Sequence, residues 1–415
     1  MPKSDYLFIL IIIMSLGGCK NVDNSKSLFL NLSNPAHISY TGYTFEFQLD
    51  TSLFDSSNLL ENWQVLTGDT VLPSQWIKAN QQHPFHRLFV QTDFPAGSKM
   101  VFTLKPLLEP NSDPTCTKTT HAELWYKTGG RFENTIYTGG DFKSFKSLRV
   151  PDECTDHSLF IKYEGPGWES DKVGYRIYLD WRNAIDIYGK KINDIVLPQV
   201  GMDGYESYHE MSDWGMDILK VGSSLGIGTI GYWNGKSAER VSETDSVICE
   251  ITVDGDLYSE LVINYYGWKI ADTSIDLESL LSITAGSRAT HHIVTTNTAI
   301  NSLCTGIVKS EGTEILTGDS TLDWNYLATW GKQSLAGDNL GMAVIFQQGN
   351  LQQITQDEYS HIVVFTPGNK LTDYYFLAAW EQEPGGIKNS TDFKTHLDKF
   401  VSQLSYPLEI EYTDK

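Results

Sequence analysis

The sequence lacks a basic block and is poor in arginine. Its Lys and Arg total 31, of which only seven are arginine, against 52 Asp and Glu, for a net charge of −21. A field of that sign opposes the counterion release that drives binding to DNA or RNA, so nucleic acid is excluded as a partner. Cysteine is scarce at five residues, and no Cys-x-x-Cys or His-x₃-His spacing supports a zinc site. No calcium-loop spacing of acidic residues occurs either. The sequence therefore calls for no metal and no cofactor. Internal repeats and low-complexity tracts are missing as well.

What remains is ample chain. At 415 residues, 40% hydrophobic and 20% charged, it fits a globular protein of two or three domains. Its 21 Tyr and 11 Trp suit β-strands, and they also suit flat surfaces on which sugar rings stack.

The first nineteen residues read as an address. Lys3 is followed by an apolar run, Tyr6 to Met14, too short to cross a bilayer as a mature helix. Leu16-Gly17-Gly18-Cys19 then resembles a bacterial lipobox. That resemblance implies cleavage before Cys19, lipidation there, and a membrane partner through the lipid anchor. The expected location is the cell envelope at the outer membrane, on its periplasmic or surface face. Residues 20–27 form a polar tether. The other cysteines, Cys116, Cys154, Cys249 and Cys304, then lie in an oxidising compartment and allow three pairings. Cys116 and Cys154, which flank one excursion, are the favoured pair.

Beyond the tether the chain alternates in short runs between turn residues, as in Tyr43 to Leu49, Trp63 to Leu66, Leu88 to Thr92 and Lys99 to Leu104. That spacing predicts a small N-terminal antiparallel β-sandwich over 28–108. A second, larger β-rich region follows over 120–410, with runs such as Tyr175 to Leu179, Glu260 to Tyr266 and Tyr374 to Trp380. Only Thr391 to Leu404 carries helical spacing, with Phe393, Leu397, Phe400, Val401 and Leu404 on one face and Ser390 or Thr391 as cap. The expected fold is all-β: a small sandwich, then a large two-sheet sandwich of supersandwich, mutarotase-like type with a C-terminal helix.

Residues 163–233 differ from the rest in the chemistry-bearing groups they hold. Within Gly174 to Asp180, alternation places Tyr175, Ile177 and Leu179 on one face and Arg176, Tyr178 and Asp180 on the other. That polar face lines a cleft or meets solvent, unless Arg176 and Arg182 simply pair with nearby carboxylates. His209 stands between Tyr208 and Glu210, which can orient an imidazole and tune it near neutrality. Arg240 and Arg288 are further guanidinium groups suited to gripping a carboxylate through two parallel hydrogen bonds. Trp214 is a candidate stacking platform and Lys220 a second positive charge. The stretch 162–240 holds nine Lys and Arg against twelve Asp and Glu, so any basic patch must be made by folding.

Three blocks carry a family resemblance: Glu164-Gly-Pro-Gly-Trp-Glu-Ser-Asp-Lys-Val-Gly-Tyr-Arg176, Asp180-Trp-Arg-Asn-Ala-Ile-Asp186 and His209-Glu-Met-Ser-Asp-Trp-Gly-Met-Asp217. Weaker echoes are Leu72-Pro-Ser-Gln75, Gly341-Met-Ala-Val344 and Ala378-Ala-Trp-Glu381. The chain resembles a lipoprotein family, catalogued as a domain of unknown function, encoded among polysaccharide-degrading enzymes of marine and gut bacteria. The activity this resemblance implies is an oligosaccharide dehydratase, a carbon–oxygen lyase acting on ulvan fragments. Such an enzyme removes water from a non-reducing-end uronic acid and leaves a 4,5-unsaturated sugar.

That reaction abstracts the proton at C5 and expels the C4 hydroxyl. It needs cations or donors at the carboxylate, a base and an acid. The candidates are His209 as base or acid with Tyr208 or Tyr265 as partner, Arg240, Arg176 and Arg288 at the carboxylate, and Trp214 and Lys220 around the sugar. One side chain serves as both base and acid if the C5 proton and the C4 hydroxyl lie on one face of the ring. The alternatives are a glycoside hydrolase using two of Glu169, Glu210, Glu381 and Glu383, a polysaccharide lyase on acidic glycans, or a surface glycan-binding lipoprotein without activity.

Overall fold

The computed structural model describes residues 27–35, 37–54, 63–80, 84–106 and 117–413. The lipobox with Cys19, most of the tether and Cys116 lie outside the described residues. Two compact units divide the chain, the first built from the N-terminal residues to Thr117 with Leu408–Lys415, the second from Lys118–Pro407.

The first unit contains a five-stranded sheet in the order Glu409–Thr413, Leu28–Ser33, Lys99–Pro106, Trp63–Thr67, Thr70–Leu72, and a three-stranded sheet of Tyr40–Leu49, His86–Phe94 and Ser74–Ile77. Alternation along these strands sends Leu30, Leu32, Phe45, Phe47, Val65, Leu88, Val90, Phe102 and Leu104 into one shared core. The strand Glu409–Thr413 pairs with Leu28–Ser33, so the end of the chain closes this sheet. Sequence reading carried the second region to residue 410, because a five-residue strand after a helix gives no local sign of which unit it joins.

In the second unit a nine-stranded antiparallel sheet runs Ser147–Arg149, Ser246–Asp254, Tyr258–Ile270, Thr273–Thr284, Ala289–Thr296, Leu371–Trp380, Asn339–Gln347, Trp324–Lys332, Glu314–Thr317. Opposite it lie two five-stranded sheets. One orders Gly215–Asp217, Ile185–Lys190, Val173–Ile177, Gly167–Ser170, Thr120–Glu123; the other orders Ala238–Arg240, Gly231–Trp233, Leu303–Val308, Ser360–Phe365, Leu351–Gln356. Single bridges at Ile185–Gly226 and Ile227–Ile307 join them into one layer. Apolar residues of both layers form one core, including Tyr175, Ile187, Leu261, Leu281, Ile307 and Phe376. Buried polar groups crossing it are satisfied, as with Trp168 Nε1 donating to Thr290 Oγ1 at 2.8 Å and the Tyr175 hydroxyl donating to the Arg288 carbonyl at 2.7 Å. Among the described residues the fold is all-β, in stacked antiparallel sheets with one α-helix near the C-terminus.

That helix, Ser390–Ser405, presses Phe393, Leu397 and Val401 onto the outer face of the nine-stranded sheet. Close approach requires Gly341, where an added Cβ would stand 2.7 Å from the Phe393 ring. The cap is Asn389, whose side chain accepts from the Asp392 amide, rather than the expected Ser390 or Thr391. Cys154, Cys249 and Cys304 are free thiols. The favoured Cys116–Cys154 bridge therefore finds Cys154 unpaired, its Sγ 3.5 Å from the Ser158 hydroxyl.

Candidate functional site

The three sequence blocks meet at one end of the sheet Thr120–Glu123 to Gly215–Asp217. Antiparallel register sets Arg176 directly opposite Asp186, and Tyr188 opposite Asp217. Two glycines make this possible. A Cβ at Gly165 would lie 1.8 Å from the Ile177 carbonyl, and one at Gly215, whose φ is +132°, would lie 1.8 Å from the Gly189 carbonyl. Glu164-Gly-Pro and Trp214-Gly are thus packing requirements of the site's walls.

Arg176 is the pivot. Its guanidinium donates to Asp186 Oδ2 from Nε and Nη2, to Asp217 Oδ2 at 2.7 Å, and to the Tyr178 hydroxyl at 2.9 Å. Nη1 reaches the Tyr163 carbonyl at 3.3 Å and the Tyr208 hydroxyl at 3.0 Å. The residue is 2% exposed. A cation so enclosed and so fully bonded cannot clamp a ligand's carboxylate, which corrects its expected binding role. Burial first, then the adjacent Asp186, raises the Asp217 carboxyl well above the usual range, and a hydrogen bond between the two acts in the same sense. Both carboxyls are buried against the one guanidinium, which bonds each of them.

His209 ends a short 3₁₀ turn, Ser207–His209, that lays its ring against Tyr208 with centroids 4.5 Å apart. Its Nδ1 stands 3.4 Å from Asp217 Oδ2, on the oxygen that Arg176 also holds. The imidazole side chain is 45% exposed. Burial, and secondarily the Arg176 charge, lowers its pKa below the ordinary 6.5 against the opposing pull of Asp186, Glu206 and Glu164. It is therefore a neutral, reachable base at neutral pH. Tyr208 is its floor: 2% exposed, with its hydroxyl pushed up to about 12 by burial against the opposing Arg176 charge. Tyr208 positions His209 and keeps its own proton.

A second guanidinium cluster adjoins the first. The Tyr178 ring has Arg176 Cζ 4.7 Å and Arg182 Cζ 3.9 Å from its centroid. Arg182 ties Asp180, Glu164 and Asp156 together. Asp156, His157 and Glu164 bring ligand atoms within 4.8 Å of one another, but the Arg182 guanidinium already bonds both carboxylates. Backbone strain concentrates here, with φ of +57° at His157, +37° at Tyr163, +69° at Glu164 and +36° at Asn183, all in the left-handed region.

The remaining candidates separate. Arg240 comes to this cluster: Nη1 donates to the Gly222 and Ser224 carbonyls, and burial together with Arg182 lowers its pKa against Asp180 and Tyr178. Among the described residues no carboxylate pairs with it. Lys220 is exposed, two residues before the Gly222 that Arg240 bonds. Trp214 packs edge-on to Tyr188 at 6.1 Å and is half-buried, so only part of its face is open. Arg288 is taken by Glu383 at 2.6 Å, which removes it from a role beside His209. Tyr265, the other expected partner of His209, is a core residue between the layers, its hydroxyl raised far above its usual value by burial.

The four glutamates considered for hydrolysis are also accounted for. Glu169 is fully buried against Lys190 at 2.6 Å and accepts the Val196 and Leu197 amides; Glu383 is bound by Arg288 and Glu381 by Asn339. Glu210 is exposed. Sequence reasoning missed Trp181, which stands 52% exposed on the Asp180–Asn183 turn with Arg240 Cζ 5.7 Å from its ring centroid. Its place between two motif residues was the available signal.

A family model matches residues 32–410 over nearly the whole chain. The protein belongs to the family Domain of unknown function (DUF4861). No curated protein sequence matches this DUF4861 chain. Among solved structures, a protein in the glycosyl hydrolase family 38 from Enterococcus faecalis aligns with a TM-score of 0.47 at 10% identity, covering 94% of this chain and 48% of that one. An alpha-mannosidase from Enterococcus faecalis V583 aligns at 0.47 and 10% identity, covering 93% and 46%. The DUF4861 chain thus spans less than half the length of these structures.

Proposed function

We propose that this protein is a carbohydrate-active dehydratase that removes water from a non-reducing-end uronic acid of ulvan-type oligosaccharides. The observation that carries the reading is the pairing of a reachable neutral imidazole with a sealed Arg176–Asp186–Asp217 centre. With Nδ1 of His209 turned to Asp217, Nε2 is the nitrogen left for a substrate. That nitrogen takes the C5 proton, the C5–H electron pair becomes the C4–C5 double bond, and the C4–O bond breaks. The imidazolium then gives its proton to the departing hydroxyl, which leaves as water, and His209 returns to neutral. One residue serves both transfers, so the C5 proton and the C4 oxygen lie on the same face of the sugar. Positioned proton transfer of this kind contributes about 10²- to 10⁴-fold in rate. The developing charge on the substrate carboxylate lies in the field of the cation behind Tyr208. Arg240, with donors unspent on any carboxylate, takes an anionic group of the same oligosaccharide.

The protein acts, in this proposal, as a lipoprotein anchored through Cys19 at the outer membrane. The test uses uronate-ended oligosaccharides and reads two signals together. Dehydration gives the ultraviolet absorbance of a conjugated enol ether with no new reducing ends. Hydrolysis gives reducing ends without absorbance, and a chain-cleaving lyase gives both.

A further inference from the structure

We infer that Trp181 and Arg240 form a second sugar subsite, which stacks the ring next to the reacting one and binds an anionic substituent on it. The inference rests on the oligosaccharide reading above and adds a subsite to it. Trp181, inside the Asp180–Asp186 block, is among the exposed large apolar side chains, at 52% exposure. Its turn is rigid: the Asp180 carboxylate accepts from the Arg182 backbone amide at 2.9 Å and from the Arg182 Nε at 2.9 Å, and the Asn183 amide bonds the Asp180 carbonyl at 3.0 Å. An indole held out by a braced turn loses little freedom on binding, which is the condition for a useful stacking face.

Arg240 supplies the charge. Its guanidinium lies 5.7 Å from the indole centroid and is fixed by two backbone carbonyls through Nη1. Those bonds position the group without neutralising it. Burial first, then the neighbouring Arg182, disfavours its charge against the opposing pull of Asp180 and Tyr178, and an incoming anion favours it. Sulfate ester and carboxylate both meet this requirement, since a guanidinium holds either through parallel N–H donors. Trp181 takes a ring separate from the one at His209, since from Asp217, which His209 adjoins, the contacts run on through Arg176, Tyr178 and Arg182, with Cζ-to-ring distances of 4.7 and 3.9 Å.

The test is calorimetric binding of a uronate-ended tetrasaccharide carrying sulfate esters, with its desulfated counterpart as the second arm, to the full chain bearing His209→Ala so that nothing turns over. Trp181→Ala is expected to weaken binding about tenfold, while Trp181→Phe, which keeps a ring face, stays within about threefold. Arg240→Ala should lose a similar factor and flatten the salt dependence, whereas Arg240→Lys should keep part of both. If desulfation reproduces the Arg240→Ala loss and the two are not additive, the anion is sulfate; if desulfation leaves affinity unchanged while Arg240→Ala still weakens it, the anion is a carboxylate. Unchanged affinity in both Trp181→Ala and Arg240→Ala overturns the subsite. Because this readout needs no catalysis, Trp181-dependent binding without water loss by the unsubstituted protein would sink the dehydratase reading alone. Water loss with an unaltered KM in Trp181→Ala would sink the subsite alone.

Discussion

Arg176 and His209 share one oxygen: Asp217 Oδ2 accepts from the Arg176 guanidinium at 2.7 Å and lies 3.4 Å from His209 Nδ1. The buried cation and the half-exposed imidazole thereby adjoin the same carboxyl, one sealed in the sheet and one open to a ligand. Removing the guanidinium should therefore show in stability first. Arg176→Met leaves a buried carboxyl pair with an uncompensated charge and should cost about 3–5 kcal/mol in urea unfolding. A loss under 1 kcal/mol would mean that the buried carboxyls do not depend on the guanidinium for their stability.

Tyr208→Phe separates the floor of the site from its reactive group. It strips Arg176 of one acceptor, so a cost of about 1–3 kcal/mol is expected in the same assay. Turnover should remain measurable, since Tyr208 is 2% exposed and keeps its proton up to about 12. A loss of activity as deep as that of His209→Ala, in a folded variant, would make Tyr208 the proton donor.

The pH profile follows from His209. Its pKa lies below the ordinary 6.5, and the reactive form is neutral, so kcat/KM should be flat near neutrality and fall on the acid side with an inflection below 6.5. Tyr208, at about 12, adds no limb in the accessible alkaline range. An inflection above 7 would contradict the burial and Arg176 repulsion that set the shift.

Stability should bend elsewhere on the pH axis. His121 is bonded by Asp254 at 2.8 Å and Glu123 at 3.1 Å. Burial lowers its pKa, but those two partners together outweigh it and raise the group to about 9 from 6.5. A raised folded-state value means that the contribution, about 3 kcal/mol, is complete below pH 6.5 and fades as pH rises through 9. Thermal midpoints of the unsubstituted protein should fall across that window. His121→Gln should start lower and stay flat there; an equally sloping variant would contradict the assignment.

Much of this was legible in sequence. Period-two alternation gave the strands, and the spacing of Phe393, Leu397 and Val401 gave the helix. The three motif blocks supply Arg176, Asp186, His209 and Asp217, which the fold brings together. What the sequence could not show was depth. Arg176 and Tyr265 look as available as Arg240 in a linear chain, yet cross-strand register buries the first against Asp186, and sheet stacking seals the second in the core. Arg288 was equally opaque, because its partner Glu383 is 95 residues away. Trp181 was passed over because a single aromatic between charged neighbours has no periodic signal; only the braced turn reveals its exposure.

The most direct test is a mass spectrum of uronate-ended oligosaccharides after incubation with the unsubstituted protein and with His209→Ala. The account predicts intact chains lighter by a single water with the former, and unchanged chains, or a rate lower by about 10²- to 10⁴-fold, with the latter. Equal water loss by both proteins, or chains shortened by a sugar, would contradict it.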